Sequence, residues 1–296
     1  MAKHWLQLFR IALAPTIAWD VVAGWLVWQK TSATQSSSTS LLVTLAIVLL
    51  VYHGGMALND WADRRIDFQA NRKRPLVLGV LPANTALAIG LLMVLGSVGL
   101  AAWALPASLA AAALLAFIVL LYDLGGAFVR TFLGPALLAS ARVLAFHMAP
   151  LGEAEWETVI SSIGFVPGAA LAVWWLFLSR LASYEEKGAP GMHILGFPVI
   201  LALVPLMLSE KPSVDLWFYT LWALLAGWLL IPAWQKRHDS HNALAVQAAV
   251  RRALVSSPLI PGAILLAAGL NSILITGILI VVFATTHTLA KTFPPE

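Results

Sequence analysis

Residues that could bind a cation lie close together where a long apolar run ends: Asn59, Asp60, Asp63 and Asp67. On an α-helix, positions 60, 63 and 67 are three and four residues apart, so the three carboxylates project from one face. Stacked carboxylates favour a divalent cation, and ligands that are all oxygen suit a Mg²⁺ ion shared with a phosphate. A basic stretch follows at 72–74. The pattern therefore indicates a site for a metal-bound diphosphate.

The composition is that of a membrane protein. Of the 296 residues, 60% are hydrophobic and 11% are charged, and the mean hydropathy is +0.85. An ordinary soluble domain has about a quarter of its residues charged and is therefore excluded. A transmembrane barrel would show alternating segments of about ten residues, whereas this chain has long apolar runs, which predict an all-α polytopic membrane protein. The lack of cysteine excludes disulfides and thiolate chemistry.

Apolar runs of about 20 residues, the length that crosses a bilayer, predict the transmembrane helices. They cover 5–28, 41–60, 83–104, 107–124, 131–150, 159–182, 192–208 and 215–234. A further region, 256–290, is interrupted at 269–272 and is either one broken span or a short hairpin. The segment 238–254 predicts an interfacial helix. We expect about nine transmembrane helices in a single domain over 1–296.

The positions of the 18 Lys and Arg residues predict the orientation. With the N-terminus in the cytoplasm, most of them lie in cytoplasmic segments, and the outer segments contain only Lys30, Lys211 and Lys291. Such an excess of cytoplasmic Lys and Arg is the general rule for membrane proteins. The acidic segment then faces the cytoplasm, where Mg²⁺ and phosphorylated metabolites are available. We expect the membrane to be of the bacterial inner-membrane type.

Two charged residues, Asp20 and Arg142, fall inside predicted spans at similar depth. Charges inside a membrane are costly and mark either a mutual partner or a functional cavity. A structural ion pair between them and a role in binding the acceptor or the diphosphate are both compatible with the sequence.

The acidic segment and its continuation resemble a known family. The pattern Asn59-Asp60-x-x-Asp63-x-x-x-Asp67, followed by Arg74-Pro75-Leu76-x-x-Gly79, is similar to that of the UbiA superfamily of intramembrane prenyltransferases. The resemblance implies about nine helices around a central cavity open to the cytoplasm. It also implies transfer of a prenyl group from its diphosphate to an acceptor, with Mg²⁺ held by two acidic motifs.

The resemblance assigns roles to individual residues. It implies that Mg²⁺ is bound by the acids of the two motifs, which are Asp60, Asp63, Asp67, Glu185 and Glu186. It implies that the substrates are bound by a second set, which comprises Asn59, Arg72, Arg74, Tyr122 and Arg130. Asp20 and Arg142 are candidates for the same role because they are charges inside the membrane. Arg180, in the second motif, joins Asp60, Asp63, Asp67 and Glu185 as an expected catalytic residue.

The second motif, over 178–188, differs from the usual family pattern of two aspartates. Its acids are Glu185 and Glu186, and Arg180 stands where a metal ligand is expected. Together with the Asp20-x-x-Ala-Gly element and the intramembrane Arg142, it resembles a divergent branch that includes the UbiA-like proteins of Ebo clusters.

Other functions stay open at this stage. A non-catalytic carrier of lipids or metabolites could keep the fold and one acidic motif. A transporter would be expected to show an internal repeat, and none is evident. For the transferase, the expected partners are a prenyl diphosphate donor, membrane lipid and a small acceptor, which could be aromatic, a sugar phosphate or a glycerol phosphate; nucleic acid is not expected.

Overall fold

A computed structural model of the chain describes residues 1–33, 37–185, 188 and 243–293. All elements in these ranges are helical. The α-helices are α1 (Ala2–Leu8), α2 (Ala14–Thr31), α3 (Ser38–Gln69), α4 (Ala83–Ala104), α5 (Leu109–Leu124), α6 (Gly126–Phe132), α7 (Gly134–Leu151), α8 (Trp156–Ile163), α9 (Phe165–Ala182), α10 (Ala243–Ser256), α11 (Leu259–Ala267) and α12 (Ser272–Thr292). Short 3₁₀ turns at Ile11–Leu13 and Pro106–Ser108 precede α2 and α5.

The described ranges contain seven stretches that are long and apolar enough to cross a membrane, or eight if the bent pair α6–α7 counts as one span. The prediction of an all-α polytopic membrane protein is thereby confirmed. The spans predicted at 192–208 and 215–234 lie outside the described residues, so the count of nine stays a prediction. The same holds for the cavity that opens to the cytoplasm.

Three predicted spans differ in detail from the structure. The span predicted at 5–28 is broken at 9–13, where Arg10 adopts left-handed backbone angles. The span at 131–150 is preceded by α6, which meets α7 at an angle of 72°. The span at 159–182 is divided by Gly164, whose φ of 84° ends α8 before α9 begins. In each case a backbone joint divides a run that is predominantly apolar.

The C-terminal region corrects one expectation and decides between two alternatives. The predicted interfacial helix at 238–254 is, from Ala243 onward, α10, and it continues through α11 as one candidate span, Ala243–Ala267. Residues on one face of α10 are buried, which an interfacial helix would not require: Ala245, Val246, Val250 and Ala253. The interruption at 269–272 separates this span from a second one, α12, whose first turn is capped by the Asn271 side chain.

The core lies between α2, α3, α5, α7 and α9, with α10–α12 packed beside them. Two of these contacts require glycine. A Cβ atom on Gly24 of α2 would lie 1.7 Å from the Phe146 carbonyl oxygen of α7, and one on Gly54 of α3 would lie 2.8 Å from the Gly90 carbonyl oxygen of α4. Small residues at helix crossings are the usual device for close packing in membranes.

Helix α3 is longer than the membrane is thick. It has 32 residues, which at 1.5 Å per residue give about 48 Å, whereas the hydrocarbon layer is about 30 Å thick. The acidic motif lies in its last three turns. A small separate core beneath them joins α1, α3 and the loop that follows α3.

Candidate active site

The acids of α3 share one face, as predicted, and that face is turned inward. Asp60 and Asp67 are buried, with 4% and 2% exposure, and Asp63 between them is half-buried. Burial of isolated carboxylates is strongly unfavourable, so each requires a cationic partner. The structure supplies these partners from three separate segments, two of which are distant in sequence.

The first segment is the loop after α3, which folds back onto the helix. Asn71 adopts a left-handed conformation with φ of 52°, which asparagine tolerates better than most residues, and the Arg72 amide donates to the Asp67 carbonyl at 2.9 Å. This turn brings Arg74 over the acidic face. Its Nη1 atom lies 3.0 Å from Oδ1 of Asp60 and 2.7 Å from Oδ2 of Asp67. Arg72 reaches the other oxygen of Asp67, at 3.4 Å.

The second segment is the joint between α1 and α2. The Nη2 atom of Arg10 lies 3.1 Å from Oδ1 of Asp60, the oxygen that Arg74 also binds. Burial lowers the pKa of the Arg74 guanidinium, and the neighbouring positive charge of Arg10 lowers it further, against the attraction of Asp60 and Asp67. This part of the site therefore holds closely spaced cations.

The third segment is α6. Arg130 forms an ion pair with Oδ1 of Asp63 through Nη1. The same side chain donates from Nε to the Tyr122 carbonyl, at 3.1 Å, and from Nη2 to the Asp123 carbonyl, at 2.7 Å. These two carbonyls end α5, where a cation is favourable. The guanidinium also lies 5.7 Å from the centre of the Tyr122 ring. Arg130 thus joins the end of α5 to the acidic face of α3.

The Asn59 amide faces α5 as well. Its Nδ2 atom donates to Oδ1 of Asp123 at 3.3 Å, and the Asp123 side chain is only 3% exposed. Asp123 therefore brings a fourth carboxylate, from another helix, beside the acidic motif of α3.

The second motif is only partly brought to this cluster. Glu185 is half-buried; burial raises its pKa, and the guanidiniums of Arg72, Arg10 and Arg74 partly offset the effect. Glu185 therefore lies within electrostatic reach of the first motif. Arg180 does not join it: its side chain is exposed and lies over the Tyr184 ring, 5.2 Å from the ring centre. Glu186 lies outside the described residues.

Asp20 and Arg142 form an ion pair away from the acidic cluster. Nε of Arg142 is 2.7 Å from Oδ2 of Asp20, and both side chains are buried. The Arg142 guanidinium also donates to the Thr16 carbonyl and lies 4.1 Å from the centre of the Trp175 ring. The contacts bind α7 to α2 and α9, as a structural pair would.

The carboxylate oxygens of the cluster are suitable ligands for a Mg²⁺ ion. Asp60, Asp63 and Asp123 each use Oδ1 for a guanidinium or amide, and their Oδ2 atoms accept no hydrogen bond from any residue that the structure describes. Such oxygens are the ligands that Mg²⁺ prefers. In the described part of the chain the acids do not yet converge as a set of three ligands.

The cluster also fits an anion. Nε of Arg74, a side chain with 6% exposure, has no hydrogen-bond acceptor among the described residues. A guanidinium carries five N–H donors and binds phosphate in two-pronged fashion, so an unused donor in a buried arginine is a ready phosphate contact.

Sequence reasoning missed two residues of the cluster, Arg10 and Asp123. Both had a signal: each is a charged residue at the end of a predicted apolar helix or within it, where charges are rare. The contact between Arg10 and Asp60 depends on the break in the helix at 9–13. The apolar pattern of the sequence does not predict this break.

Comparison with known proteins identifies the family. Residues 17–256 match the model of the UbiA prenyltransferase family, and the chain belongs to that family. It is similar to protoheme IX farnesyltransferase of Granulibacter bethesdensis, with 25% identity over 81% of this chain and 80% of the relative. It is also similar to protoheme IX farnesyltransferase 1 of Saccharopolyspora erythraea, with 29% identity over 68% of this chain and 69% of the relative.

Solved structures share the fold. A UbiA homologue from Archaeoglobus fulgidus, determined with GPP and Mg²⁺ bound, matches with a TM-score of 0.56 and 14% identity over 88% of this chain and 99% of its own. A digeranylgeranylglyceryl phosphate synthase matches with a TM-score of 0.56 and 16% identity over 94% of this chain and 99% of its own. The suspected membership of the UbiA superfamily is confirmed.

Proposed function

We propose that the protein is a Mg²⁺-dependent intramembrane prenyltransferase, which moves a prenyl group from a prenyl diphosphate to a small acceptor. One observation carries the proposal: the buried acids of α3 are bound by guanidiniums from three separate segments, in a chain of the UbiA prenyltransferase family. A merely structural cluster would not need cations gathered from the N-terminus, the α3–α4 loop and α6.

The residues suit the ionisation of an allylic diphosphate. The carbon–oxygen bond breaks with its electron pair going to the diphosphate, and the acceptor atom then bonds to the prenyl carbon and loses a proton. When bound, Mg²⁺ supplies positive charge that stabilises the departing diphosphate. We propose that Asp60, Asp63 and Asp67 hold the ion, together with Glu185 and Glu186 of the second motif. Fixed guanidiniums act in the same way without reorganising during the reaction.

The diphosphate contacts are assigned to Arg72, Arg74 and Arg130. The oxygens of a diphosphate can replace the carboxylates as guanidinium partners, which frees the carboxylates for the metal. Asn59 and Tyr122 stay beside Arg130 and Asp123 and complete the wall of the site on the α5 side. The apolar surroundings exclude water, which would otherwise capture the allylic cation.

The names of the relatives guide the choice of substrates. We propose farnesyl diphosphate as the first donor and protoheme IX as the first acceptor to test, with aromatic acids, sugar phosphates and glycerol phosphates as alternatives. We further propose that the chain forms one domain over 1–296, with the site at the cytoplasmic face of a bacterial-type inner membrane.

Release of diphosphate tests the proposal. Purified wild type, Asp63→Asn and Arg74→Gln would be incubated with Mg²⁺, a panel of prenyl diphosphates and each acceptor. Glu157→Gln is the matched control, because Glu157 is an exposed acid of α8 outside the cluster. We expect donor- and acceptor-dependent release by wild type and the control, and loss in the other two variants. Binding of donors without release by any pair would contradict transfer.

A carrier of isoprenoid lipids is the second candidate. The position of Arg180, exposed and lying over the Tyr184 ring, favours it, because a second motif that is only partly brought to the first leaves the expected site incomplete. A carrier would bind a prenyl lipid with an intact Asp63 and release no diphosphate with any acceptor, so the same assay separates the two functions.

A further inference from the structure

Arg10 is held in an unfavourable backbone conformation. Its φ and ψ of 47° and 48° lie in the left-handed region, which residues other than glycine, asparagine and aspartate rarely adopt. The residue joins α1 to the 3₁₀ turn before α2. Such strain persists only where surrounding contacts enforce it, and it occurs preferentially at functional sites.

The enforcing contacts come from α3. The Tyr52 hydroxyl donates to the Arg10 carbonyl at 3.2 Å. The Nδ1 atom of His53 lies 2.9 Å from the Phe9 carbonyl, and since a carbonyl only accepts, this nitrogen carries the hydrogen. The preceding Leu8 is fully buried in the small core that α1 shares with α3 and the following loop. Tyr52 and His53, which are adjacent in α3, thus hold the carbonyls of Arg10 and Phe9 in place.

The result is a guanidinium at the acidic cluster with most of its donors unused. Nη2 binds Oδ1 of Asp60, while Nε and Nη1 donate to no residue that the structure describes. The Arg10 side chain is 22% exposed, so a ligand can reach it. Asp60 does not need this partner for neutralisation, because Arg74 binds the same oxygen at 3.0 Å and is far more buried.

We infer that Arg10 is a binding residue for the diphosphate of the prenyl donor, presented by the N-terminal segment and positioned by Tyr52 and His53. Two guanidiniums that converge on one carboxylate oxygen repel each other, and an incoming diphosphate offers each its own oxygens. The inference rests on the proposed function, because it concerns the same substrate.

Binding of farnesyl diphosphate in the presence of Mg²⁺, measured by calorimetry on the full chain, tests the inference, with farnesol as the uncharged probe. We expect Arg10→Gln to weaken binding of the diphosphate at least about tenfold, a loss of ~1.4 kcal/mol, and to leave farnesol binding unchanged. Arg10→Lys should weaken it less, since the ammonium keeps the charge but not the planar fork. Tyr52→Phe should also weaken binding of the diphosphate, because the Arg10 carbonyl loses the hydrogen bond that positions this segment.

Arg65→Gln is the control, since Arg65 is an exposed arginine near the same end of α3; we expect binding as in wild type. If Arg10→Gln binds farnesyl diphosphate like wild type while Arg74→Gln does not, the inference is wrong and the proposed function stands. If wild type itself binds no prenyl diphosphate, both are wrong. Equal weakening of diphosphate and farnesol binding by Arg10→Gln and Arg10→Lys would show a structural role and would also overturn the inference.

Discussion

The Nε atom of Arg142 on α7 lies 2.7 Å from Oδ2 of Asp20 on α2, and the two side chains are only 10% and 0% exposed. One turn further along α2, Gly24 allows the Phe146 carbonyl of α7 to approach closely. The ion pair therefore lies one turn away from a close contact between these two helices. Of the two readings that the sequence left open, the geometry supports the structural pair.

A double-mutant cycle in detergent should show this coupling. Removal of one partner leaves a buried charge unpaired, which typically costs about 3–5 kcal/mol. We expect Asp20→Asn and Arg142→Gln each to lower the thermal unfolding midpoint, and the double variant to lose clearly less than the two losses combined. Strictly additive losses would contradict a direct pair. Unchanged stability with lost acceptor binding would place both residues in the acceptor site.

The Asn59–Asp123 hydrogen bond gives a second prediction. Asp123→Asn keeps an oxygen that can accept from Asn59 Nδ2 but removes a negative charge beside Asp63, so the fold should be retained. We expect Mg²⁺-dependent binding of farnesyl diphosphate to weaken several-fold, because a carboxylate is a stronger Mg²⁺ ligand than an amide. Calorimetric titrations with Mg²⁺ and with EDTA would measure the difference. Identical Mg²⁺ dependence in wild type and variant would exclude Asp123 from the metal site.

The first motif was predictable from the sequence because its members share one helix. The spacing of Asp60, Asp63 and Asp67 fixes their common face once the segment is helical, and no tertiary information is needed. The return of Arg74 to that face was implied by the family pattern, and its physical cause is the left-handed turn at Asn71. Apolar runs likewise sufficed to predict the class of fold.

Contacts between distant segments were not predictable in the same way. The break at 9–13 is hidden inside an apolar run, so the approach of Arg10 to Asp60 could not be read from periodicity. Arg180 illustrates the opposite error. Its place in the motif suggested a role in the site, but the turn at 183–185 leaves the side chain exposed over Tyr184 while Glu185 lies near the arginines.

Substitution of Arg180 should therefore have little effect on the affinity for the prenyl diphosphate donor. Loss of the stacking on Tyr184 removes about 0.5–1 kcal/mol of stability at an exposed site. We expect Arg180→Lys and Arg180→Gln to bind farnesyl diphosphate as wild type does, in contrast to Arg74→Gln. Affinities from the same calorimetric assay provide the check. A tenfold loss in Arg180→Lys would mean that the planar guanidinium touches the diphosphate, contrary to the exposed position.

Glu185 should make stability depend on pH. Burial raises its pKa above the ordinary value, and Arg72, Arg10 and Arg74 offset this only in part. A carboxyl that binds its proton more tightly in the folded state contributes stability that is complete below the pKa of the unfolded chain and is lost as the pH rises through the folded pKa.

Glu185→Gln cannot lose a proton and escapes this loss. In EDTA, the thermal midpoint of the variant minus that of wild type should therefore be near zero below the ordinary pKa of glutamate. The difference should increase as the pH rises and become constant above the folded pKa. The exposed Glu157→Gln should show no such trend. A difference that falls with pH would mean that the arginines outweigh burial, so that the carboxylate form is the one that stabilises the metal-free fold.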